Sequence, residues 1–178
     1  MMKILLLLFP VCAYASWIVV GGQVTTADIA ANAVTQAKRA ALGQQVSSSC
    51  GTFTTTSGSL TNVTNLSVTI TTTGRPVQLA LQAASGTTGL FGGVQSAGSE
   101  QTVIAFTTAL LRAGSAIATY RFDMELGQGY GREFDISPAA MNYIDVVGAG
   151  TYTYTIQVAC DSSVTAHFNN LVLVAYEL

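Results

Sequence analysis

The single histidine of the chain, His167, is the residue around which a catalytic site would have to be built. A Ser-His-Asp or Cys-His arrangement needs an imidazole that takes a proton from a neighbouring nucleophile. His167 lies four residues before an apolar terminal run, and no Gly-x-Ser-x-Gly segment leads into a helix. One histidine and distant cysteines also lack the ligand spacing of a zinc site. We therefore interpret His167 as a surface or turn residue, and we predict a protein that is not an enzyme and holds no metal or cofactor.

Four carboxylates flank one polar segment and are the second set of residues that suit chemistry. Such a set suits Ca²⁺, which prefers oxygen ligands, or glycoside hydrolysis by two carboxyl groups facing each other in a groove. A calcium loop would also carry a glycine at a fixed position, and the sequence lacks that pattern. We interpret the set as the solvated rim of a loop, and a secreted hydrolase stays an alternative. The four residues are Asp123, Glu125, Glu133 and Asp135.

A glycine-rich segment, Gly-Gln-Gly-Tyr-Gly at 127–131, lies between these carboxylates. A phosphate-binding glycine loop is followed by a helix, and no helical pattern follows here. The segment can present Tyr130 and Arg132, and exposed aromatic and arginine side chains are common at recognition surfaces. We predict Tyr130 and Arg132 as ligand-binding residues, with Asp123 and Glu125 behind them. A loop that only closes the fold remains the alternative.

The charge of the chain excludes one large class of partners. The 178 residues carry a formal net charge of −2, so the chain lacks the basic patch that neutralises nucleic-acid phosphates. Only 9% of the residues are charged, against about 25% in a typical soluble domain. Thr, Ser, Ala and Gly take their place, a composition typical of secreted β-proteins and fibre subunits.

The first fifteen residues have the pattern of a secretory signal peptide. Lys3 supplies a positive charge, residues 4–11 are apolar, and Ala-Tyr-Ala at 13–15 forms a small-x-small cleavage site. The apolar run is too short to span a bilayer. We therefore predict an exported protein that is not inserted in a membrane after the leader is removed.

Removal of the leader would leave two cysteines, Cys50 and Cys160. An oxidising compartment favours a disulfide between them. Because the bridge would close a long loop, it would stabilise the fold by up to roughly 4–5 kcal/mol. Two separate free thiols are the alternative.

Beyond the leader the chain divides near Gly43. Residues 24–42 contain four large apolar side chains, too few to stabilise a folded segment alone. We expect either a disordered linker or several copies packed around an axis. The predicted organisation is a signal peptide at 1–15, a stalk or trimerisation segment at 16–43 and a head domain at 44–178.

The head domain contains about eight short strand patterns separated by turn signals, which predicts an antiparallel β-sandwich. In residues 151–158, tyrosine, isoleucine and valine alternate with threonine and glutamine, as in a half-buried strand. The terminal run 171–176 is apolar on both faces and needs cover on both. Long polar loops are predicted at 85–99 and 123–134, and we expect the ligand-binding rim at 85–99 and 126–132.

Several segments together resemble the trimeric fibres of phage tails. Residues 26–38 are similar to the short segments that precede the heads of such fibres. Residues 143–145, 148–157 and 170–178 are similar to the jelly-roll heads themselves, whose architecture resembles tumour necrosis factor and complement C1q. Because a phage fibre needs no signal peptide, the chain resembles the exported mosaic adhesive trimer family of predatory bacteria.

This resemblance implies an all-β fold, with an antiparallel jelly-roll head on a short trimeric stalk. It also implies a secreted homotrimer that binds a surface ligand, a glycan in our prediction, during recognition of prey or self. In such trimers the last strand packs near the threefold axis, so Leu171, Leu173 and Tyr176 are the predicted trimer seam. A fimbrial subunit that polymerises by strand donation and a phage tail-fibre head remain alternatives.

Overall fold

A computed structural model describes residues 43–95, 103–125, 132–161 and 164–178 of the chain. The predicted signal peptide and stalk lie outside these residues, so the domain boundaries stay predictions. Within the described ranges there is one short 3-10 turn, Pro138–Ala140, and no helix long and apolar enough to cross a membrane. The strands are β1 (Gln44–Val46), β2 (Thr52–Thr55), β3 (Thr61–Thr73), β4 (Val77–Ala83), β5 (Leu90–Gln95), β6 (Val103–Arg112), β7 (Ser115–Glu125), β8 (Arg132–Ile136), β9 (Asn142–Asp145), β10 (Ala149–Cys160), β11 (Val164–Asn169) and β12 (Leu171–Glu177).

The strands pair antiparallel in three four-stranded sheets. Sheet A has the order β1-β12-β4-β9, sheet B the order β2-β11-β5-β8, and sheet C the order β3-β10-β6-β7. Sheets A and B use the same four chain segments in the same order, since β1 leads into β2, β4 into β5, β8 into β9 and β11 into β12. Both sheets face sheet C across the core. This is an antiparallel jelly-roll sandwich, and the all-β prediction is confirmed.

The core between sheets B and C is aromatic. Phe91 of β5 meets Phe106 and Phe122 of sheet C edge-to-face, with ring centroids 6.1 and 5.1 Å away, and stacks on Phe168 of β11 at 5.4 Å. Ring pairs of this geometry stabilise a core beyond the burial of their area. Between sheets A and C the core is aliphatic, and its buried side chains include Leu79, Leu81, Leu110, Ile156 and Leu173.

Strand β10 shows how alternation along the sequence produces this sandwich. Tyr154, Ile156 and Val158 point into the core and are at most 1% exposed. Thr153 and Thr155 alternate with these residues and lie on the outer face of sheet C, where Thr153 Oγ1 and Thr69 Oγ1 of β3 hydrogen-bond at 2.8 Å. Apolar burial on one face and paired hydroxyls on the other both stabilise the same register.

The prediction of a loop at 85–99 is wrong for residues 90–95, because Leu90–Gln95 forms β5 in the interior of sheet B. Phe91 is fully buried there. Residues 85–89 lie outside the strands as predicted, and 96–99 lie outside the described residues. The glycines that suggested a loop are needed for close packing of strands. A Cβ on Gly92 would overlap the carbonyl oxygen of Phe134 on the neighbouring strand β8.

Candidate functional site

A histidine and an aspartate meet on the outer face of sheet B. In the register of this sheet, His167 of β11 lies opposite Gly92 of β5, which lies opposite Asp135 of β8. The three residues form a row across adjacent strands, on the face away from Phe168 and the aromatic core, since neighbours along a strand point to opposite faces. His167 Nε2 lies 2.7 Å from Asp135 Oδ1, a hydrogen-bonding distance.

Gly92 is what allows the two side chains to meet. Their strands lie two strand spacings apart, about 9.5 Å. A Cβ on Gly92 would lie 3.0 Å from Asp135 Oδ1 as well as overlapping the backbone of β8. Because the middle strand has no side chain at this position, His167 and Asp135 reach each other across it.

Glu133 adds a second carboxylate two residues along β8, on the same face. Its Oε1 lies 3.8 Å from His167 Nε2, and one ligand atom from each of the three side chains lies within 4.8 Å of the other two. The His167 side chain is 7% exposed, whereas those of Asp135 and Glu133 are 45% and 60% exposed. This histidine–carboxylate cluster, Glu133, Asp135 and His167, therefore combines a fixed imidazole with two solvent-facing carboxylates. It can hold a proton between His167 and Asp135 or bind a cation.

The structure corrects the interpretation of His167 as a surface or turn residue, because His167 is buried within β11. The predicted loop at 123–134 is wrong at both ends, because β7 continues to Glu125 and β8 begins at Arg132. Glu133 and Asp135 therefore share one face of β8, since alternate residues of a strand point the same way. Their approach to His167 could not be predicted, because it depends on the register of three strands. The other two carboxylates of the predicted set, Asp123 and Glu125, belong to β7 in sheet C.

Asp123 is the predicted ligand-binding residue whose side chain the structure describes. It is exposed on β7, where its Oδ2 lies 3.5 Å from Arg121 Nε. Arg121 Nη2 also lies 2.8 Å from Asp161 Oδ2, and these two acids raise the pKa of the guanidinium, Asp161 more than Asp123. Exposed ion pairs of this kind contribute little to stability. Their polar groups remain accessible to a ligand.

The strands end together at one end of the sandwich, which we call the rim. Gln95 pairs with both Val164 and Arg132, which places the rim ends of β5, β8 and β11 side by side. The first residue of β6 pairs with the last of β7 in the same way. That 126–132 forms the ligand-binding rim stays a prediction. The connections that start and end there are 96–102, 126–131 and 162–163, and they lie outside the described residues, as do Tyr130 and the side chains of Glu125 and Arg132.

The predicted disulfide is absent from this structure, because the two thiols lie at opposite ends of β2. Cys50 Sγ, before the strand, accepts the amide hydrogen of Leu171 at 3.3 Å and lies 3.7 Å from the carbonyl oxygen of Phe168. Cys160 Sγ lies 3.2 Å from the carbonyl oxygen of Thr55, the last residue of β2. A four-residue strand spans about 13 Å, and a disulfide needs Cα atoms within about 7 Å. Both are buried free thiols, and burial raises the pKa of each.

The outer face of sheet A carries apolar and amide side chains without a charge. Val46 and Ile144 are each 53% exposed there. The hydroxyl of Tyr176 donates to Gln78 Oε1 at 2.6 Å, which pairs polar groups within the face. Exposed apolar side chains such as Val46 and Ile144 are common at sites that another protein covers, whereas Val174 in the middle of the face is only 6% exposed. We call this surface the sheet A face, and its two complete rows are Gln44-Tyr176-Gln78-Ile144 and Val46-Val174-Ala80-Asn142.

The predicted seam residues divide between the two faces of β12. Leu171 and Leu173 point into the core of their own chain and are 0% and 1% exposed, so they do not reach a second protomer. This part of the prediction is corrected. Tyr176 points outward onto the sheet A face together with Val172 and Val174. Because both faces of the strand are apolar, the sequence left open which face is covered by the core, and a shift of one residue exchanges them.

Comparison with known proteins gives a likeness in fold. No protein-family model and no curated protein matches the chain. The chain is similar to the Eiger TNF of S. frugiperda, with 6% identity and a TM-score of 0.35 over 77% of this chain and 93% of that chain. It is also similar to a protein of T=1 particles derived from infectious bursal virus, with 13% identity and a TM-score of 0.34 over 75% of this chain and 36% of that chain. A third similar structure is the CBM36-1 domain of a multidomain xylanase from the hindgut metagenome of Trinervitermes trinervoides, with 15% identity and a TM-score of 0.25 over 73% of this chain and 95% of that chain.

Proposed function

We propose that this chain is the head of a secreted homotrimeric adhesin, which is not an enzyme and binds a surface glycan at the rim. The observation that carries the proposal is the uncharged sheet A face. Covering exposed side chains such as Val46 and Ile144 stabilises an assembly by about 25 cal/mol per Å² of apolar area. A cyclic oligomer places the same surface of each protomer beside its copies, so a face without charge avoids like-charge contacts.

The position of the rim supports the second half of the proposal. The sheet A face lies on β1, β12, β4 and β9, whereas the rim lies at the far ends of β5, β8 and β11 and of β6 and β7. Assembly through the sheet A face would leave the rim free for a ligand. Tyr130 and Arg132 would stack on a sugar ring and donate hydrogen bonds to its hydroxyl groups.

The substitution Ile144→Lys tests the assembly. It would place one positive charge per protomer in the covered face, so we expect a monomer, whereas the wild-type chain should have three times the protomer mass by light scattering. Thr119→Lys is the matched control, because Thr119 is also exposed on an edge strand, β7, but on the outer face of sheet C. It should remain a trimer.

Two results would contradict this proposal. One is a wild-type monomer at micromolar concentration, and the other is an Ile144→Lys chain that assembles as the wild type does. Filaments in electron micrographs, in place of discrete particles, would favour the fimbrial alternative.

A further inference from the structure

We propose that Glu133, Asp135 and His167 bind one divalent transition-metal ion of the Zn²⁺ class on the outer face of sheet B. The inference rests on the geometry of the histidine–carboxylate cluster. It does not depend on the proposed adhesin function, because metal uptake is measured directly and the variants that test it leave the sheet A face intact.

The spacing of the ligand atoms suits one ion. Zinc–nitrogen and zinc–oxygen distances of about 2.0–2.2 Å at tetrahedral angles place ligand atoms about 3.4 Å apart. His167 Nε2 lies 2.7 Å from Asp135 Oδ1 and 3.8 Å from Glu133 Oε1. A movement of less than about 1 Å by each carboxylate would therefore admit the ion. Both carboxylates are exposed and free to make that movement.

The imidazole is already held in a ligating position. His167 is buried in β11, an interior strand of sheet B, so its ring has little freedom to lose when an ion binds. Because Gly92 has no side chain, no group of β5 separates His167 Nε2 from Asp135 Oδ1, which lie 2.7 Å apart. The sheet therefore supplies one rigid ligand and two adjustable ones.

The charge of the cluster also favours a cation. In the described part of the chain, the ion pairs formed by Glu133 and Asp135 are both with His167. With a neutral imidazole, two negative charges lie beside each other, and a divalent ion would neutralise both.

The ligand types select the class of ion. Ca²⁺ and Mg²⁺ take oxygen ligands, whereas imidazole together with carboxylates suits Zn²⁺ and its neighbours in the transition series. Three protein ligands would leave a coordination position on the solvent side, since Glu133 and Asp135 are the exposed members. A water molecule or an oxygen atom of a bound ligand would fill that position.

Equilibrium dialysis of the full chain against Zn²⁺, with metal analysis and calorimetry, tests the proposal. We expect one ion per wild-type chain and a higher melting temperature with Zn²⁺ than without it. Asp135→Asn and Glu133→Gln each change an exposed side chain, so they should lose stoichiometric binding while the domain stays folded. Asp123→Asn is the matched control, because it removes an exposed carboxylate outside the cluster, and it should bind as the wild type does. All four proteins keep their cysteines, so any uptake by thiols would be equal among them.

The proposal is overturned if the wild-type chain takes up no Zn²⁺, or if Asp135→Asn and Glu133→Gln bind it as the wild type does. Preferential uptake of Ca²⁺ over Zn²⁺ would overturn the assignment to the transition-metal class. In the first two cases, His167 and Asp135 would be a structural hydrogen-bonded pair of sheet B.

Discussion

Glu177 shows how one buried carboxylate fixes one end of the sandwich. It is 4% exposed at the end of β12. Its Oε1 accepts hydrogen bonds from the hydroxyl groups of Thr72 and Thr73 and from the backbone amides of Thr73 and Arg75, at 2.6–3.2 Å. All of these donors belong to the turn between β3 and β4 or its approach. These hydrogen bonds stabilise the charged form of the carboxylate, and the one from the Thr72 hydroxyl has the largest effect. They lower the pKa of Glu177 from 4.5 to about 2.

Acid should therefore weaken the fold through Glu177. Since the pKa is lower in the folded chain, the stabilisation is complete above about pH 4.5 and is lost as the pH falls toward 2. We expect Glu177→Gln to melt at a lower temperature than the wild type at neutral pH, and the difference to close across that interval. Thermal unfolding followed by circular dichroism measures it, with the exposed Asp123→Asn as control. Parallel pH profiles for the wild type and Glu177→Gln would contradict this account.

Asp145 connects strands of both layers. It is 5% exposed at the end of β9 in sheet A. Its Oδ1 and Oδ2 accept hydrogen bonds from Arg112 Nη1 of β6 at 3.0 and 2.9 Å, and Oδ2 also accepts one from the hydroxyl of Tyr154 of β10 at 2.8 Å. Burial, and then the hydrogen bond to Asp145, raise the pKa of Tyr154 above its ordinary value, which already keeps the hydroxyl protonated at physiological pH. The short edge strand β9 is thereby tied to two strands of sheet C.

Tyr154→Phe measures this connection between the layers. It removes a hydrogen bond to a charged group, so we expect the free energy of unfolding to fall by about 1.5–3 kcal/mol. Tyr152→Phe on the same strand is the control, because the hydroxyl of Tyr152 donates to the carbonyl oxygen of Gly148 at 3.2 Å in an exposed position. Its effect should stay within about 0.5 kcal/mol. Urea unfolding at neutral pH gives both values. Equal losses would show that the buried hydrogen bond to Asp145 stabilises the fold no more than the exposed hydrogen bond of Tyr152 does.

Alternation along the strands predicted more of the fold than of the site. It assigned the faces of β10 correctly, because apolar and hydroxyl side chains are strictly separated there. It missed β5, because Gly92 and Gly93 interrupt the apolar pattern and the need for glycine arises from β8, more than 30 residues away in the chain. It left the orientation of β12 open for the opposite reason, since both faces are apolar.

The histidine–carboxylate cluster could not be predicted from the sequence for a related reason. Its three members come from β8 and β11, and the glycine between them comes from β5. A pattern within one strand gives the face on which a side chain lies, but only pairing between strands gives its neighbours. The residue types of Glu133, Asp135 and His167 were recognised in the sequence, whereas their approach to one another was not.

At the level of the whole molecule, the two surfaces of the proposed adhesin lie on different parts of the sandwich. The sheet A face is uncharged, while sheet C carries the exposed ion pairs of Arg121 with Asp123 and Asp161 toward its rim end. A cyclic trimer formed through the sheet A face would present three copies of the rim related by one axis. Three rims in one particle can engage a surface together, so the strength of binding should depend on the density of glycans on that surface.

Binding to a dense glycan surface should be much stronger than binding to isolated glycans. Simultaneous engagement of linked sites raises apparent affinity by about 10²–10⁴. With a glycan identified on an array, we expect surface plasmon resonance to show slow dissociation of the wild-type trimer from a dense surface and fast dissociation from a sparse one. The Ile144→Lys monomer should dissociate quickly from both.

The double variant Tyr130→Ala with Arg132→Ala separates the ligand site from the assembly in the same experiment. It should lose binding on dense and sparse surfaces alike while keeping the trimer mass and the melting temperature, because it changes the rim and leaves the sheet A face intact. Unchanged binding by this variant would place the glycan outside the 126–132 connection. Wild-type dissociation that is independent of glycan density would instead contradict engagement by three rims, even if the glycan site at 126–132 were correct.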